Sequence, residues 1–356
     1  MATLGIGGLA ATALFAGAAV CLTSGCSTVG YYAQSAIGHL NLVNAAKPVP
    51  EWLADPQVSA KLKERLELSQ RMRDFAVSEL GEPDNASYRR YADLHRSAAV
   101  WNVVAAPELS LAPKTWCFAV VGCVSYRGYY NQADADAEAT TLRAAGLEAA
   151  VYPVPAYSTL GRLPGGWLAD PLLNTFIGYA EGDLARLIFH ELAHQIAYAP
   201  GDTMFNESFA TTVEKIGAER WLGSHSAEAA RSEYARVEGR REDFRSLTMG
   251  TRAALQALYA SDADEATKRE RKAAVFARMR AEYATMKADR WAGYGGYDSW
   301  FAGANNASLG VLAAYTQLIP AFERVFEREG RDFPRFYAEV RRIAALPQPE
   351  RRAALP

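Results

Sequence analysis

The sequence has few histidines, few cysteines and no marked excess of either charge. Its 356 residues include five histidines and four cysteines, and 38 basic residues against 40 acidic residues give a formal net charge of −2. This balance excludes the broad basic surface by which nucleic-acid-binding proteins attract phosphates. With so few histidines, two that lie four residues apart point to a specific role.

Long apolar runs are absent except near the start of the chain. Leu4 to Leu22 is uncharged and rich in Ala and Gly, and no later stretch is long and apolar enough to span a bilayer. Thr23-Ser24-Gly25-Cys26 resembles a lipoprotein cleavage box. The basic segment that usually begins a signal peptide is missing, so an uncleaved membrane anchor is the alternative. We expect residues 1–25 to be a lipoprotein signal peptide, with the lipid on Cys26.

The residues around the cysteines indicate where the protein resides. Ser27 is not the aspartate that favours retention at the inner membrane, so we expect the periplasmic face of the outer membrane. In that oxidising compartment, Cys117 and Cys123 could form a disulfide that closes a short loop. Two buried thiols are the alternative. No other Cys or His lies nearby in the sequence, which argues against a second zinc site.

The motif that indicates chemistry is Phe-His-Glu-Leu-Ala-His-Gln at residues 189–195. Residues four apart lie on one face of a helix, so His190 and His194 can direct both imidazoles to one metal ion. Glu191 lies beside them, within reach of a water molecule that it could deprotonate. The pattern predicts one zinc ion, although a five-residue match also arises by chance in helices with surface or core histidines.

A third ligand is expected after the turn at Pro200-Gly201. The turn ends the first helix, and a second helix can begin at Asp202 or Thr203, either of which can cap it. Because His194 and Glu207 are equally distant from the turn, an antiparallel pair of helices brings them to the same height. Three protein ligands would leave a fourth position open, as in catalytic zinc sites.

Other positions fit the third ligand less well. The metzincin pattern requires a histidine where this chain has Pro200. Asp202 lies at the bend of the hairpin rather than level with His194. Glu214 lies two turns beyond Glu207, about 10 Å further by helix rise. Glu207 is therefore the predicted ligand.

The motif His190-Glu191-x-x-His194 followed by Asn206-Glu207-x-Phe209-Ala210 resembles the gluzincin arrangement of thermolysin-like peptidases and large zinc aminopeptidases. More closely, the chain resembles a family of zinc aminopeptidases among bacterial lipoproteins. The stretches that carry this second resemblance are Tyr31–Gln34, Trp116–Phe118, Tyr126–Tyr129, Ala156–Gly161 and Asn305–Ala307. The resemblance implies that Glu207 is the third ligand and that Asn206 orients His194. In the larger gluzincins the third ligand lies further along the chain than it does here.

The pattern of apolar residues predicts a mostly helical α+β fold, with a small β-sheet beside the motif helix and a gluzincin-like core. Residues 26–356 are expected to form a single domain, or two lobes over 26–180 and 181–356. Helices are expected over 56–80, 84–105, 132–145, in two long charged stretches across 224–290, and from about 307, with strand-like pieces at 116–130 and 148–160.

Two further segments could contact a substrate. Val151 to Leu160 contains two prolines, which mark it as an edge strand, and it could bind a peptide backbone or only support the motif helix. Residues 291–310 are rich in aromatic residues and glycine, and they could line the site or pack between helices. Tyr157 in the first segment and Tyr297 in the second are candidates for stabilising an oxyanion.

Taken together, the sequence predicts a zinc metallopeptidase of the cell envelope that acts on peptides and is held to the membrane by its N-terminal lipid. An aminopeptidase is favoured. An endopeptidase of the same mechanism is one alternative, and a non-catalytic, lipid-anchored binding or assembly factor with structural zinc is another. The sequence does not indicate the oligomeric state.

Overall fold

The computed structural model describes residues 26–118, 122–156 and 168–356. The predicted signal peptide lies outside these ranges. The described residues form a mostly helical α+β protein with small sheets. The helices are α1 (Cys26–Ala45), α2 (Val49–Ala54), α3 (Ala60–Ser78), α4 (Gln132–Ala144), α5 (Glu181–Ala193), α6 (Thr203–His225), α7 (Glu228–Ala260), α8 (Glu265–Asp289), α9 (Asp298–Gly303), α10 (Asn306–Thr316), α11 (Ile319–Arg328), α12 (Phe333–Ala344) and α13 (Gln348–Ala354). The strands are β1 (Lys47–Pro48), β2 (Arg90–Ala92), β3 (Val100–Pro107), β4 (Trp116–Phe118), β5 (Gly122–Val124), β6 (Arg127–Tyr129), β7 (Leu147–Val154) and β8 (Leu172–Leu173).

The main sheet has the strand order β6-β3-β7, and both pairings are antiparallel. Side chains alternate between its two faces. One face, which includes Trp101 and Val103, packs on helix α4. On the other face, Val104 and Ala106 pack against Val311 of α10. The remaining part of that second face is left uncovered by α10, and it becomes the floor of a cleft.

The helix expected over residues 84–105 is wrong, because this segment forms β2 and β3. All of β3 except its last residue is buried. A strand that is buried on both faces has no alternation of polar and apolar residues, so its apolar run resembles that of a buried helix. Val100, Val103 and Val104 favour the strand, and pairing with neighbours on both sides decides it.

A disulfide joins Cys117 to Cys123 across the short hairpin of β4 and β5. This hairpin approaches the turn between α5 and α6 very closely. A Cβ atom on Gly122 would lie 2.8 Å from the backbone nitrogen of Gly201, and the φ of Gly122 is +76°. Only glycine fits such a conformation and such a contact without strain.

Helices α5 and α6 lie within the largest hydrophobic core. Leu184, Ile188 and Leu192 of α5 are fully buried, as are Phe205 and Phe209 of α6. The apolar residues of α5 recur every four positions, so they form one stripe that faces the core. The motif residues beside that stripe are therefore held on a rigid element. Among the described residues, no helix combines the length and the apolar character needed to cross a membrane.

Candidate active site

The two helices of the site are joined by residues 194–202, which contain the turn at Pro200-Gly201. Helix α5 begins at Glu181, and its last helical residue is Ala193, several residues before the turn at Pro200-Gly201 that was expected to end it. His194 is the C-cap of α5 and keeps helical backbone angles. Helix α6 begins after Asp202, whose carboxylate accepts a hydrogen bond from the Phe205 N–H at 3.1 Å. The turn thus returns the chain antiparallel to α5, as the spacing predicts.

The antiparallel helices bring His190, His194 and Glu207 together. The two Nε2 atoms lie 3.1 Å apart, and Glu207 Oε2 lies 3.3 Å from that of His190 and 3.6 Å from that of His194. A tetrahedral zinc ion with bonds of about 2.0–2.1 Å places its ligands about 3.3 Å apart. Two imidazoles and one carboxylate are also ligands that zinc accepts. These three residues could therefore hold a metal ion.

The electrostatics of this trio match a buried cation site. Burial alone would raise the pKa of Glu207, but the charges of His194 and His190 lower it to about 2. Burial alone would lower the pKa of His190, yet the carboxylates of Glu207 and Glu214 raise it well above its usual value. Without a metal, a proton on His190 thus supplies positive charge beside the carboxylates of Glu207 and Glu214.

This proton makes metal binding depend on pH. Zinc needs the neutral imidazole, so it must displace the proton of His190. Below the raised pKa of His190 we expect zinc affinity to fall by about tenfold per pH unit, as for the release of one proton. Calorimetry in buffers of different ionisation enthalpy at pH 6 to 8 would measure the release. Zinc affinity that is constant across this range would contradict the prediction.

Glu191 lies between the two histidines and faces the same space. Burial raises its pKa, and the charges of His190 and His194 partly offset that effect. A carboxylate with a raised pKa is a better proton acceptor at neutral pH than an exposed one. Glu191 is therefore well placed and electrostatically suited to act as a general base.

The sequence pattern considers Glu214 only as a rejected third ligand. The structure instead places its carboxylate beside the ring of His190. Its Oε2 lies 2.8 Å from His190 Nδ1; the two atoms are not aligned as a hydrogen bond, but a small rotation of the carboxylate would make one. Arg186 Nε donates to Glu214 Oε1 at 3.0 Å. A carboxylate behind a ligating histidine fixes its orientation and raises its basicity. The seven-residue interval from Glu207 to Glu214, two helical turns, was the available signal.

We expect Glu214→Gln to weaken zinc binding by about 10- to 100-fold, the usual cost of removing such an outer partner. Competition with a chromophoric chelator would measure the affinity. Glu219→Gln is the matched control, because Glu219 lies on the same helix but is exposed. Equal zinc affinities for the two variants would contradict the role assigned to Glu214.

Asn206 holds the turn and not the ring of His194. Its Oδ1 accepts a hydrogen bond from the Ala199 N–H at 2.7 Å, and its Nδ2 donates to the Ala199 carbonyl at 2.9 Å. Asp202, besides capping α6, pairs with the buried guanidinium of Arg351 at 2.6 Å. Both residues therefore stabilise the hairpin that positions Glu207.

A cleft of about 620 Å³ includes His190, His194 and Glu207 in its lining. Its floor is the uncovered face of the main sheet, where Val100, Asn102, Tyr152 and Val154 lie. Its walls carry many aromatic side chains. The aromatic residues of the lining are Tyr31, Tyr32, Phe118, Tyr126, Tyr130, Tyr152 and Tyr198. Most of the lining is thus apolar, with hydroxyl groups at intervals.

Tyr126 is a described tyrosine that can donate a hydrogen bond in this cleft. Its side chain is partly buried, and this burial together with the charges of Glu207 and Glu191 raises its pKa well above its usual value. It therefore keeps its proton and can stabilise a developing oxyanion. Tyr157 lies outside the described residues.

Tyr297 lies away from the cleft. Its ring stacks on Phe244 with centroids 4.7 Å apart, and it does not line the cleft. Its neighbours Trp291 and Phe301 are buried with Met279 in a second hydrophobic cluster. Trp291, Tyr297 and Phe301 of the aromatic loop thus pack between helices, whereas Tyr294 is exposed.

Comparison with known proteins gives one match. A sequence model of the family described as "Putative aminopeptidase" matches residues 30–355. No curated protein and no solved structure is significantly similar to the chain. The matched range contains the metal-binding trio, Glu191 and the whole described cleft.

Proposed function

Because the chain belongs to the putative aminopeptidase family, we propose that it is a zinc-dependent aminopeptidase with a gluzincin-like core. The observation that carries the proposal is the convergence of His190, His194 and Glu207 beside a partly buried Glu191, in the lining of a cleft large enough for a peptide. Catalytic zinc sites have three protein ligands, whereas structural sites usually have four. The three described ligands therefore favour an enzyme over a binding factor with structural zinc.

His190, His194 and Glu207 would hold the ion. Zinc, when bound, supplies positive charge that polarises a carbonyl group and acidifies a water molecule. Glu191 takes a proton from the attacking water and later donates it to the leaving amine. Tyr126 donates a hydrogen bond to the oxygen of the attacked carbonyl group as negative charge develops there. Glu214 keeps the His190 ring oriented throughout.

A digest with and without metal tests the proposal. We expect the zinc-loaded protein to release amino-terminal residues from a peptide library, and treatment with a chelator to abolish the release. Zinc should restore it after the chelator has been removed. Bound zinc without any cleavage would instead favour the lipid-anchored binding factor.

The cleft also predicts which amino-terminal residues are preferred. Its described lining contains no Lys, Arg or Asp side chain, and its only Glu side chains are Glu191 and Glu207. An apolar side chain gains by leaving water, whereas a charged one would lose hydration without a partner. We expect kcat/KM for amino-terminal Phe, Tyr or Leu to exceed that for Asp or Lys by at least about tenfold. A fluorogenic aminoacyl series would measure this, and a preference for Asp or Lys would contradict it.

We also propose that the protein is anchored by a lipid on Cys26 to the periplasmic face of the outer membrane. Helix α1 begins at that residue, and its side chains Tyr31 and Tyr32 line the cleft. The lipid-bearing residue would therefore be separated by only a few residues of chain from side chains that line the cleft. Membrane fractionation of the wild type and of Cys26→Ser tests the proposal. Equal membrane association of the two proteins would contradict it.

A further inference from the structure

The free edge of β7 runs along the cleft. Five consecutive residues, from Tyr152 to Ala156, line the cleft. Because side chains of a strand alternate between faces, a cleft that touches five residues in succession must follow the strand's edge as well as one face. Strand β3 pairs with the opposite edge, and none of the described strands pairs with this one.

Two sets of contacts show which backbone groups face the free edge. The Ala99 N–H donates to the Val154 carbonyl at 2.9 Å, so the backbone groups of Val154 point toward β3. The Ala149 carbonyl accepts a hydrogen bond from Arg143 of α4 at 3.0 Å, so the backbone groups of Ala149 point the other way. Backbone groups of successive residues in a strand point to alternate sides. Those of the odd-numbered residues of β7 therefore face the free edge.

The two residues that face the free edge within the cleft are both prolines. Pro153 and Pro155 have no backbone N–H and cannot donate a hydrogen bond. The Pro155 carbonyl already accepts one from Thr175 Oγ1. The carbonyl of Pro153, an exposed residue, has no hydrogen-bond donor among the described residues. At Pro153 the edge along the cleft thus offers an acceptor for which the described part of the chain supplies no donor.

We propose that the Pro153 carbonyl is the subsite that binds the free amino group of the substrate. An internal peptide segment that pairs with an edge strand exchanges two hydrogen bonds with the residue opposite. Opposite Pro153 it could form only one, and its own carbonyl would be left without a donor. An ammonium group carries only donors, so it leaves no acceptor of its own without a hydrogen bond at this position. The carboxylates of Glu191 and Glu207 are assigned to other tasks, and no other described carboxylate lines the cleft. This inference rests on the proposed function and names the part of the substrate that is recognised.

Binding of two peptides to the zinc-loaded Glu191→Gln protein tests the subsite without turnover. The peptides are Phe-Ala-Ala with a free amino group and the same peptide acetylated, measured by calorimetry. We expect the free peptide to bind at least tenfold more tightly. Pro153→Ala in the same protein restores an N–H at the edge, so an internal segment can pair there, and we expect the ratio of the two affinities to fall below threefold.

Val154→Ala is the matched control, because it trims a neighbouring cleft side chain and leaves the edge N–H groups unchanged. It should weaken binding of both peptides while keeping their ratio. Equal binding of the two peptides before the proline is replaced would overturn the inference. So would a ratio that Pro153→Ala leaves unchanged.

Hydrolysis by the zinc-loaded wild type separates this inference from the proposed function. If neither peptide is cleaved but the tenfold preference is present in Glu191→Gln, catalysis is contradicted and the amino-group subsite is supported. If both peptides are cleaved at equal rates, the peptidase is supported and the subsite is overturned.

Discussion

Glu191→Gln is expected to keep the metal and to lose hydrolysis. The amide is nearly the same size as the carboxylate, so the fold and the three ligands His190, His194 and Glu207 stay in place. It cannot accept the proton of the attacking water, and general acid–base catalysis of this kind contributes about 10²- to 10⁴-fold. We expect kcat to fall by at least about 100-fold with one zinc ion still bound per chain.

Metal analysis and turnover of an aminoacyl substrate on the same sample would measure both quantities. Glu219→Gln, the same chemical change at an exposed position of α6, serves as the control and should keep full activity. Full activity in Glu191→Gln would exclude the mechanism. Loss of zinc in Glu191→Gln would show instead that the residue supports the metal directly.

His190→Ala is expected to lose both the metal and the activity. It removes one of three ligands. Loss of an outer partner costs up to about 100-fold in zinc affinity, and we expect the loss of a ligand to cost more. The metal-free protein should also unfold at a lower temperature. Between Glu207 and Glu214, protonated His190 compensates two buried carboxylates, and leaving a buried charge without its partner is strongly destabilising. Arg186 continues to pair with Glu214, which limits the effect.

His95→Ala is the matched control for His190→Ala, since the side chain of His95 is 87% exposed and does not line the cleft. It should leave zinc content, turnover and melting temperature unchanged. Chelator competition, turnover and thermal melting of both variants would test the prediction. A His190→Ala protein that binds zinc as tightly as the wild type would rule out the assigned ligand set.

The stability of the metal-free protein should depend on pH through the charges of His190, Glu207 and Glu214. The pKa of His190 is raised in the folded state, so its contribution to stability is full below its unfolded pKa and is lost as the pH rises through the folded value. The pKa values of Glu207 and Glu214 are lowered to about 2, so their contributions are lost as the pH falls from about 4.5 toward 2. Zinc should remove the alkaline loss, because it replaces the proton.

The cluster of His190, His194 and Glu207 could be read from the sequence because the spacing of its residues is local. His190 and His194 are one helical turn apart, and Glu207 is fixed by a short turn whose proline and glycine are visible in the chain. Local hydrogen bonding decides such features, and residues near in sequence determine it. The cap at Asp202 and the start of α6 were predictable for the same reason.

Strand β3 and the aromatic loop could not be read in this way. The segment of β3 is equally compatible with a buried helix until β6 and β7 pair with it. The described residues of the loop pack into a second core, although their composition also suits a binding surface. In both cases, contacts between residues far apart in the sequence decide the outcome, and local preference is too weak to oppose them.

By itself, the sequence determined that His190, His194 and Glu207 come together beside Glu191 and where the turn between their helices lies, because helix geometry and turn chemistry act over a few residues. Only the tertiary structure decided that Glu214 lies behind His190, that Asn206 supports the turn, and that tyrosines from α1, β7 and the loops line the same cleft as His190, His194 and Glu207. Those arrangements depend on how helices and sheet pack across the core. The free edge at Pro153 depends on both the sequence and the tertiary structure. The sequence supplies the prolines, and the strand pairing turns their backbone groups toward the cleft.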